Sequence, residues 1–353
     1  MAIPADILVI RLSSLGDVLL TMPAAQAVKR ANPSASLSWL VEGSVAGFLR
    51  HQRFVDRVIE FPRGRVEGDL KRGRIISAGK GLSASLRDLR QGKFDLVMDF
   101  HGILKSALLS RTARAAKRIG FDRTFAKELS WLAYDEKTGS KDRRLHKVRR
   151  NMLLASSAGA DGAPELCLET SPESDAYVGR FLASIGIAGP VFAVNPFCSK
   201  GSSFKRWDLA RYGAVMRRIS EETGAAVMVL WGPGEEEEAR QLREMGGDRA
   251  VLACPTTVSQ LFSLLKRTDL YIGGDTGVMH LAALAGVPVV AIFGPTDHLV
   301  NGPFGDGHTI VRKALPCSPC RDKSCKSLEC LRSIGVDDVC RAITTAWAVK
   351  RGC

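Results

Sequence analysis

The sequence predicts an α/β protein built from two parallel-sheet units, and three observations carry that expectation. Short apolar runs alternate with helix-period segments along most of the 353 residues, the pattern of strands joined by crossover helices. The rhythm breaks once, in a basic and less apolar stretch from Phe121 to Glu165, and then resumes. The charge changes there too: residues 1–150 hold 29 Lys and Arg against 15 Asp and Glu, and the rest hold 21 against 22. With 45% hydrophobic residues, a chain of this length can fill two separate cores.

The elements follow in order. ILVIRL reads as an opening buried strand, VLLTMPAAQAVKRA as the helix after it, and SLSWLVE as the next strand. FDLVMDF is a further strand and ILKSALLSRTARAA a further helix. The basic stretch then leads to a second series of strands: VFAVNPF, AAVMVLWG, DLYIGG and VPVVAIFG. The boundary falls between Glu165 and Gly189, giving units of residues 1–170 and 171–353. No apolar run reaches the roughly 18 residues of a membrane span, and MAIPADILVIRLSSLGD lacks the order of a secretory signal. A cytosolic protein is expected.

The net charge of +13 lies in the first half. It suits an anionic partner such as a phosphorylated lipid headgroup, an anionic sugar or a nucleic acid, although a basic surface kept for solubility has the same composition. Aromatic residues make up only 7% and do not interleave with the basic ones as a base-stacking platform would. No nucleic-acid partner is expected. GxGxxG after a strand, GxxxxGK[ST], HExxH and GxSxG are all absent, which excludes the dinucleotide, P-loop, zincin and nucleophile-elbow signatures.

Ligands of open parallel sheets sit at the carboxyl ends of the strands, and four loops qualify. In RLSSLGDVLLTMP, Asp17 opens a helix, either as an ordinary helix-start acid or as a carboxylate free to accept a proton. In NPFCSKGSSFKRWDLARYGAV, Lys205 and Arg206 are placed for phosphate contacts, or are plain surface charges. In VLWGPGEEEEARQL, a glutamate at the start of a helix could reach a ribose diol; otherwise the run is a solvated turn. In GGDTGVMHLAALAGVPVVAIFGPTD, the amides of Thr276, Gly277 and Val278 point from a helix N-terminus toward an anion. Asp275 suits orientation of that loop, and His280 is either a core histidine or a ligand neighbour.

Nine cysteines in a cytosolic chain are expected to be reduced. Cys317 and Cys320 have zinc-knuckle spacing, and with Cys325 and Cys330 they could close a tetrahedral site. The second pair is more widely spaced, and a cysteine-rich loop without metal is the favoured reading.

These motifs together resemble glycosyltransferase family 9, the ADP-heptose:lipopolysaccharide heptosyltransferases. The resemblance spans nearly the whole chain. It rests on ILVIRLSSLGDVLLTMPAAQAVKRANP, FDLVMDFHGILKSALL, RIGFDR, KRW, WGPGEE and the GGDTG segment. The cysteine cluster and CLRSIGVDDV look like the tail of the heptosyltransferase II subgroup. The resemblance implies a GT-B fold: two Rossmann-like domains facing across a cleft, with the last helix returning toward the first. It implies an ADP-heptose donor held by the second domain, a lipopolysaccharide inner-core acceptor on the first, and inverting, metal-independent transfer at the cytoplasmic face of the inner membrane. By the same resemblance Asp17 is the general base and Lys205 offsets charge on the departing diphosphate. Asp275, Thr276, Gly277 and His280 fall at the donor, and Glu236 or Glu235 at its ribose. Arg63, Arg65, Lys105 and Arg123 are candidates for acceptor phosphates and carboxylates by charge and position. A family-9 transferase with another nucleotide sugar or acceptor, and a non-catalytic nucleotide- or nucleic-acid-binding protein, are the alternatives.

Overall fold

The computed structural model describes residues 4–351; the side chains of residues 65, 67, 70, 75, 76, 78, 79, 82 and 200 lie outside that description. The chain divides into two compact units, the first ending at Glu169 and the second beginning at Thr170.

The first unit contains β1 (Asp6–Ile10), α1 (Leu15–Leu19), α2 (Met22–Ala31), β2 (Ser36–Glu42), α3 (Gly43–Leu49) and β3 (Arg57–Phe61). It continues with α4 (Arg63–Lys71), α5 (Ile75–Gln91), β4 (Lys93–Asp99), α6 (Leu104–Thr112), β5 (Arg114–Phe121), β6 (Glu136–Thr138) and α7 (Lys147–Ser156). Its six strands are all parallel, in the order β3-β2-β1-β4-β5-β6. In β1 every residue after Asp6 is buried, because helices cover both faces of such a sheet and leave no polar side for alternation. Leu8, Ile10, Leu40, Ile59 and Val97 anchor one core.

Two sequence expectations change here. VLLTMPAAQAVKRA is two helices, broken at Leu20 and Thr21. Pro23 lacks an amide hydrogen and so belongs in the first turn of α2. ILKSALLSRTARAA stops being helical at Thr112, since Ala113 is extended and the following residues form β5 beside β4. The basic stretch folds as β6, on the edge of the sheet, and α7, packed on α2.

The second unit runs α8 (Pro172–Ile185), β7 (Val191–Asn195), α9 (Leu209–Thr223), β8 (Ala226–Val229), α10 (Glu236–Met245), β9 (Ala250–Leu252) and α11 (Val258–Leu265). Then come β10 (Leu270–Gly274), α12 (Gly277–Leu284), β11 (Val289–Ile292), α13 (His298–Asn301), β12 (Thr309–Val311), α14 (Glu329–Arg332) and α15 (Val336–Arg351). The order β12-β11-β10-β7-β8-β9, again all parallel, repeats the first topology with its direction of listing reversed. Val339, Cys340, Ile343 and Ala346 of α15 enter this unit's own core beside Phe192 and Trp207. No helix among the described residues is long and apolar enough to cross a membrane.

Each sheet is thus doubly wound, with its order reversing between two central strands: β1 and β4 in the first unit, β7 and β10 in the second. Loops leaving the carboxyl ends of those strands diverge and open a crevice.

Candidate active site

In the first unit Ile10 and Asp99 are register partners at the reversal point. Arg11 follows β1 directly, and its Nη1 donates to the Phe100 carbonyl at 2.5 Å, spanning the crevice. Its Nη2 lies 3.1 Å from Asp17 Oδ2. Asp17 sits in the first turn of α1, where the helix dipole favours an acid. Ser14 Oγ donates to the same oxygen at 3.1 Å, while Lys147 Nζ donates to Oδ1 at 2.7 Å. Asp17 is thus an acid of the first helical turn, as one sequence reading has it, and both of its oxygens are engaged by cations. Burial works against its charge, but Arg11, Lys147 and the hydrogen bonds from Lys147 and Ser14 prevail and keep the carboxyl far below its usual range.

Lys147 is delivered by a chain of local constraints. It is the first residue of α7, whose N-cap His146 accepts the Val148 amide on Nδ1 at 3.2 Å. One turn on, Asn151 Nδ2 donates to the Leu20 carbonyl at 2.8 Å and to Thr21 Oγ1 at 3.2 Å, pinning α7 to the α1–α2 break. A lysine at a helix N-terminus opposes the dipole, and Asp17 offsets that penalty.

Across the crevice, Asp99 is fully buried at the end of β4. It accepts the amides of His101 at 2.8 Å and Gly102 at 3.2 Å and the Tyr134 hydroxyl at 2.8 Å. Burial nevertheless raises its pKa. Gly102, with φ of 66°, supplies the left-handed turn. His101, held by the Leu12 amide on Nδ1 at 3.3 Å, is pushed down to about 3 by burial and then by Arg11, with Asp17 opposing. It is neutral at pH 7.

The proposed acceptor cations divide. Arg63 and Lys105 converge on Glu42 Oε1 at the end of β2, at 3.4 and 3.6 Å, and Lys105 Nζ stands 4.2 Å from the centre of the Phe61 ring. Arg123 lies elsewhere, over Trp131 on the loop after β5, 5.3 Å from the ring centre. The side chain of Arg65 is outside the described residues.

In the second unit the reversal point holds another ion pair. Lys205, at the end of a 3-10 turn (Lys200–Lys205) after β7, places Nζ 2.8 Å from Asp275 Oδ2 in the turn after β10. Asp275 and His280 are buried. Thr276 is the N-cap of α12, its Oγ1 accepting the Met279 amide at 3.4 Å, and Gly277 and Val278 open the helix with amides that have no intrahelical partner. Gly273 has no room for a side chain: a Cβ there would meet Tyr271 Oη at 2.5 Å and the Asn195 carbonyl at 2.8 Å.

The two glutamates differ. Glu235 closes the turn by accepting the Gly232 amide on Oε2 at 2.8 Å, and burial raises its pKa. Glu236 faces along α10 to Arg240 at 2.6 Å. Arg206 pairs with Glu238 at 3.1 Å and lies over Phe197, 5.1 Å from the ring centre.

Cys317, Cys320 and Cys325 lie on the segment before α14 and Cys330 within that helix, with Cys317 and Cys320 exposed and Cys330 buried. Among the described residues no group of three or more His, Cys, Asp or Glu side chains is gathered to hold a metal.

Sequence reasoning did not single out Arg11, Asp99, His101, Tyr134 or Lys147. Arg11 and His101 carried a usable signal, since Arg11 follows β1 directly and His101 lies two residues past the end of β4. Lys147 carried none, because only the fold of α7 brings it to Asp17.

Two doubly wound units, each with charged groups and helix starts at its reversal point, make up the architecture of the GT-B class. A family model described as Glycosyltransferase family 9 (heptosyltransferase) matches residues 83–331. The chain belongs to that family.

Among its relatives, lipopolysaccharide heptosyltransferase 1 of Pseudomonas aeruginosa is 28% identical over 90% of this chain and 87% of its own length. Lipooligosaccharide heptosyltransferase 2 of Campylobacter jejuni is 25% identical over 92% of this chain and 93% of its own. The solved structure of E. coli heptosyltransferase WaaC with ADP shares the fold at a TM-score of 0.76 and 24% identity, covering 97% of this chain and 99% of that one. Relatives named heptosyltransferase 1 and 2 both match over most of the chain, so overall similarity does not single out the subgroup suggested by the cysteine-rich tail.

Proposed function

We propose that this glycosyltransferase moves heptose from ADP-heptose to the inner core of lipopolysaccharide, with inversion at the anomeric carbon. The observation that carries the reading is the carboxylate held at the reversal point of one sheet, together with a cation beside a helix N-terminus at the reversal point of the other. In this reading the second unit holds the donor. The start of α12, with Thr276 and Gly277, receives the diphosphate on its amides. Lys205, oriented by Asp275, offsets charge as the bond between the anomeric carbon and the diphosphate oxygen breaks. Its pairing with Asp275 supports a fixed ammonium rather than a mobile one. The reading assigns positive charge at the leaving group to these groups and requires no metal there. His280 packs beneath the loop, and Glu235 or Glu236 reaches the ribose.

The first unit holds the acceptor. Its hydroxyl oxygen attacks the anomeric carbon, ADP departs, and the hydroxyl proton passes to Asp17. A single displacement of this kind inverts the centre. An anionic acceptor is served by Arg63 and Lys105 at the mouth of the sheet, with Arg123 and Arg65 retained on charge and position alone. The basic half also supports a peripheral association with the anionic cytoplasmic surface of the inner membrane.

The test is transfer from ADP-heptose to Kdo-terminated and monoheptosylated core acceptors, read by mass spectrometry in wild type and Asp17→Ala. One added heptose in the wild type, lost in the variant while ADP binding persists, supports both donor and base. ADP binding without transfer to either acceptor redirects the reading to another sugar or glycan. Absence of ADP binding removes it.

A further inference from the structure

Among the described residues seven large hydrophobic side chains are exposed, and four of them stand on one platform of the first unit: Leu104 at 48%, Leu108 at 60%, Leu129 at 59% and Leu132 at 66%. Leu104 and Leu108 are four residues apart on α6 and share a face. Leu129 and Leu132 belong to a 3-10 turn (Ser130–Ala133) and its N-cap, which packs on α6. The platform is tied together by backbone: the Lys127 amide donates to the Gly102 carbonyl at 2.8 Å, and the Leu104 amide donates to Glu128 Oε2 at 3.2 Å. The other three exposed residues, Met245, Leu299 and Val349, are scattered over the second unit.

The turn is strained as well as apolar. Glu128 and Leu129 are consecutive non-glycine residues in the left-handed region, with φ of 53° and 60°. Such backbone raises the free energy of the fold, and here it presents a leucine to solvent, where that leucine adds nothing to the core. The contacts of Glu128 account for the turn but not for the exposure of Leu129. The chain that carries the leucines is strongly basic: Leu104 to Leu132 hold seven Lys and Arg against two Asp and Glu. Lys105 and Lys117 pair with Glu42 and Glu136 outside it, while Arg111, Arg114, Arg123 and Lys127 are exposed. The two acids are engaged locally: Glu128 with the Leu104 amide and Asp122 with the Thr124 amide.

We propose that Leu104, Leu108, Leu129 and Leu132 form a membrane-docking face that inserts into an anionic lipid bilayer while exposed Lys and Arg side chains of the same stretch meet its headgroups. Protruding leucines on a stretch of chain that also exposes Arg111, Arg123 and Lys127 suit an interface with an apolar interior and a negatively charged boundary. A second copy of the chain fits less well. Four leucines give a patch of at most a few hundred Å², short of the roughly 800 Å² per partner of a stable interface, and the like charge of this stretch would repel its own image. The face also adjoins the candidate active site. Lys105, between the leucines on α6, reaches Glu42 and Phe61 at the mouth of the sheet, and His101 lies at the start of the same loop. A lipid-linked acceptor would present its sugar to that mouth from the bilayer surface.

The inference rests on the peripheral-membrane reading above and gives it residues. Its test uses neither donor nor acceptor, so its failure is separable from failure of the transferase reading. The full chain is sedimented with vesicles of phosphatidylglycerol and phosphatidylethanolamine, and with pure phosphatidylcholine. Binding to the anionic vesicles alone is expected. The double variants L104S/L108S and L129S/L132S should each bind about tenfold more weakly, the order expected from removing partial burial of two leucines. Both should keep wild-type transfer to a water-soluble truncated acceptor. In L132W, lipids brominated on the acyl chains should quench additional fluorescence relative to wild type, which reports insertion rather than surface adsorption. Equal vesicle binding by wild type and both double variants overturns the proposal. So does a wild-type dimer that the same substitutions dissociate, which would assign the face to a second copy.

Discussion

Lys147→Met tests the link between fold and proposed chemistry most directly. It removes one of two cations from Asp17 and keeps the length of the side chain. Lys147 Nζ lies 2.7 Å from Oδ1, with the two side chains 29% and 22% exposed, so the pair is only partly screened by water. A hydrogen bond of this charged kind contributes about 1.5–3 kcal/mol. Arg11 and Ser14 remain on Oδ2, which places the expected loss near the lower end, about 1.5–2 kcal/mol at pH 7.

The pH dependence gives the sign. Asp17 is depressed in the fold, so the stability it contributes is complete above its unfolded value of 3.8 and is lost as pH falls toward the folded value. Asp99 is raised, so its contribution has the opposite sign: complete below 3.8 and lost as pH rises through its folded value. Only the Asp17 contribution changes in the variant. The gap between wild type and Lys147→Met is therefore full at pH 7 and narrows below about pH 4. Urea denaturation at pH 7, 5 and 3 reads the gap. The catalytic counterpart is kcat/KM against pH: wild type should be flat on its acid side, whereas the variant's carboxyl moves up and brings an acid limb toward the ordinary carboxylate range. An unchanged urea midpoint together with an unchanged acid limb would refute the coupling.

Four further outcomes are expected. Gly273→Ala should lower stability by about 1–3 kcal/mol in urea denaturation and weaken ADP binding by calorimetry, because its methyl group would press on the Tyr271 hydroxyl and the Asn195 backbone. Thr276→Ala removes the N-cap of α12 and should cost about 1 kcal/mol, with the start of the helix exchanging its amide hydrogens faster. Lys205→Ala should lower kcat by roughly 10²–10³ in a single-turnover transfer assay. ADP affinity should fall much less, since the helix amides remain. Tyr134→Phe leaves buried Asp99 short of one donor and should cost about 1–3 kcal/mol, an effect that diminishes at pH values low enough to protonate the carboxyl.

Much of this was legible from the chain. Continuous apolar runs such as DILVI and LYIGG announce strands buried on both faces, and the turn residues after them announce carboxyl-end loops. The motif GGDTG with its following apolar helix was readable because it is local: strand, cap and helix start lie within about ten residues. Helix boundaries were less readable. Thr112 and Arg114 are both compatible with a helix, and only pairing of Lys93–Asp99 with the following strand decides that the chain extends there. Lys147 was invisible for a similar reason. It is 130 residues from Asp17, in a segment whose composition resembles a linker, and its position depends on Asn151 reaching the α1–α2 break. Short-range patterns carry local geometry. An ion pair assembled through tertiary packing leaves no such pattern.

The same distinction explains how the basic half uses its charge. At the mouth of the first sheet Arg11 and Lys147 are bound to Asp17, and Arg63 and Lys105 to Glu42. Opposite charges at these separations cancel much of each other's field beyond a Debye length of about 8 Å, so these groups act by contact, and those beside Asp17 keep it ionised. Arg111, Arg123 and Lys127 are exposed on the stretch that carries the leucine platform, where the acids are occupied by backbone amides. Charges of that second kind are the ones an approaching anionic surface meets first. On the proposed reading, the excess charge seen in the sequence as a single property divides into two physical roles: cations that hold the proposed base at short range, and cations that would attract an anionic surface at longer range.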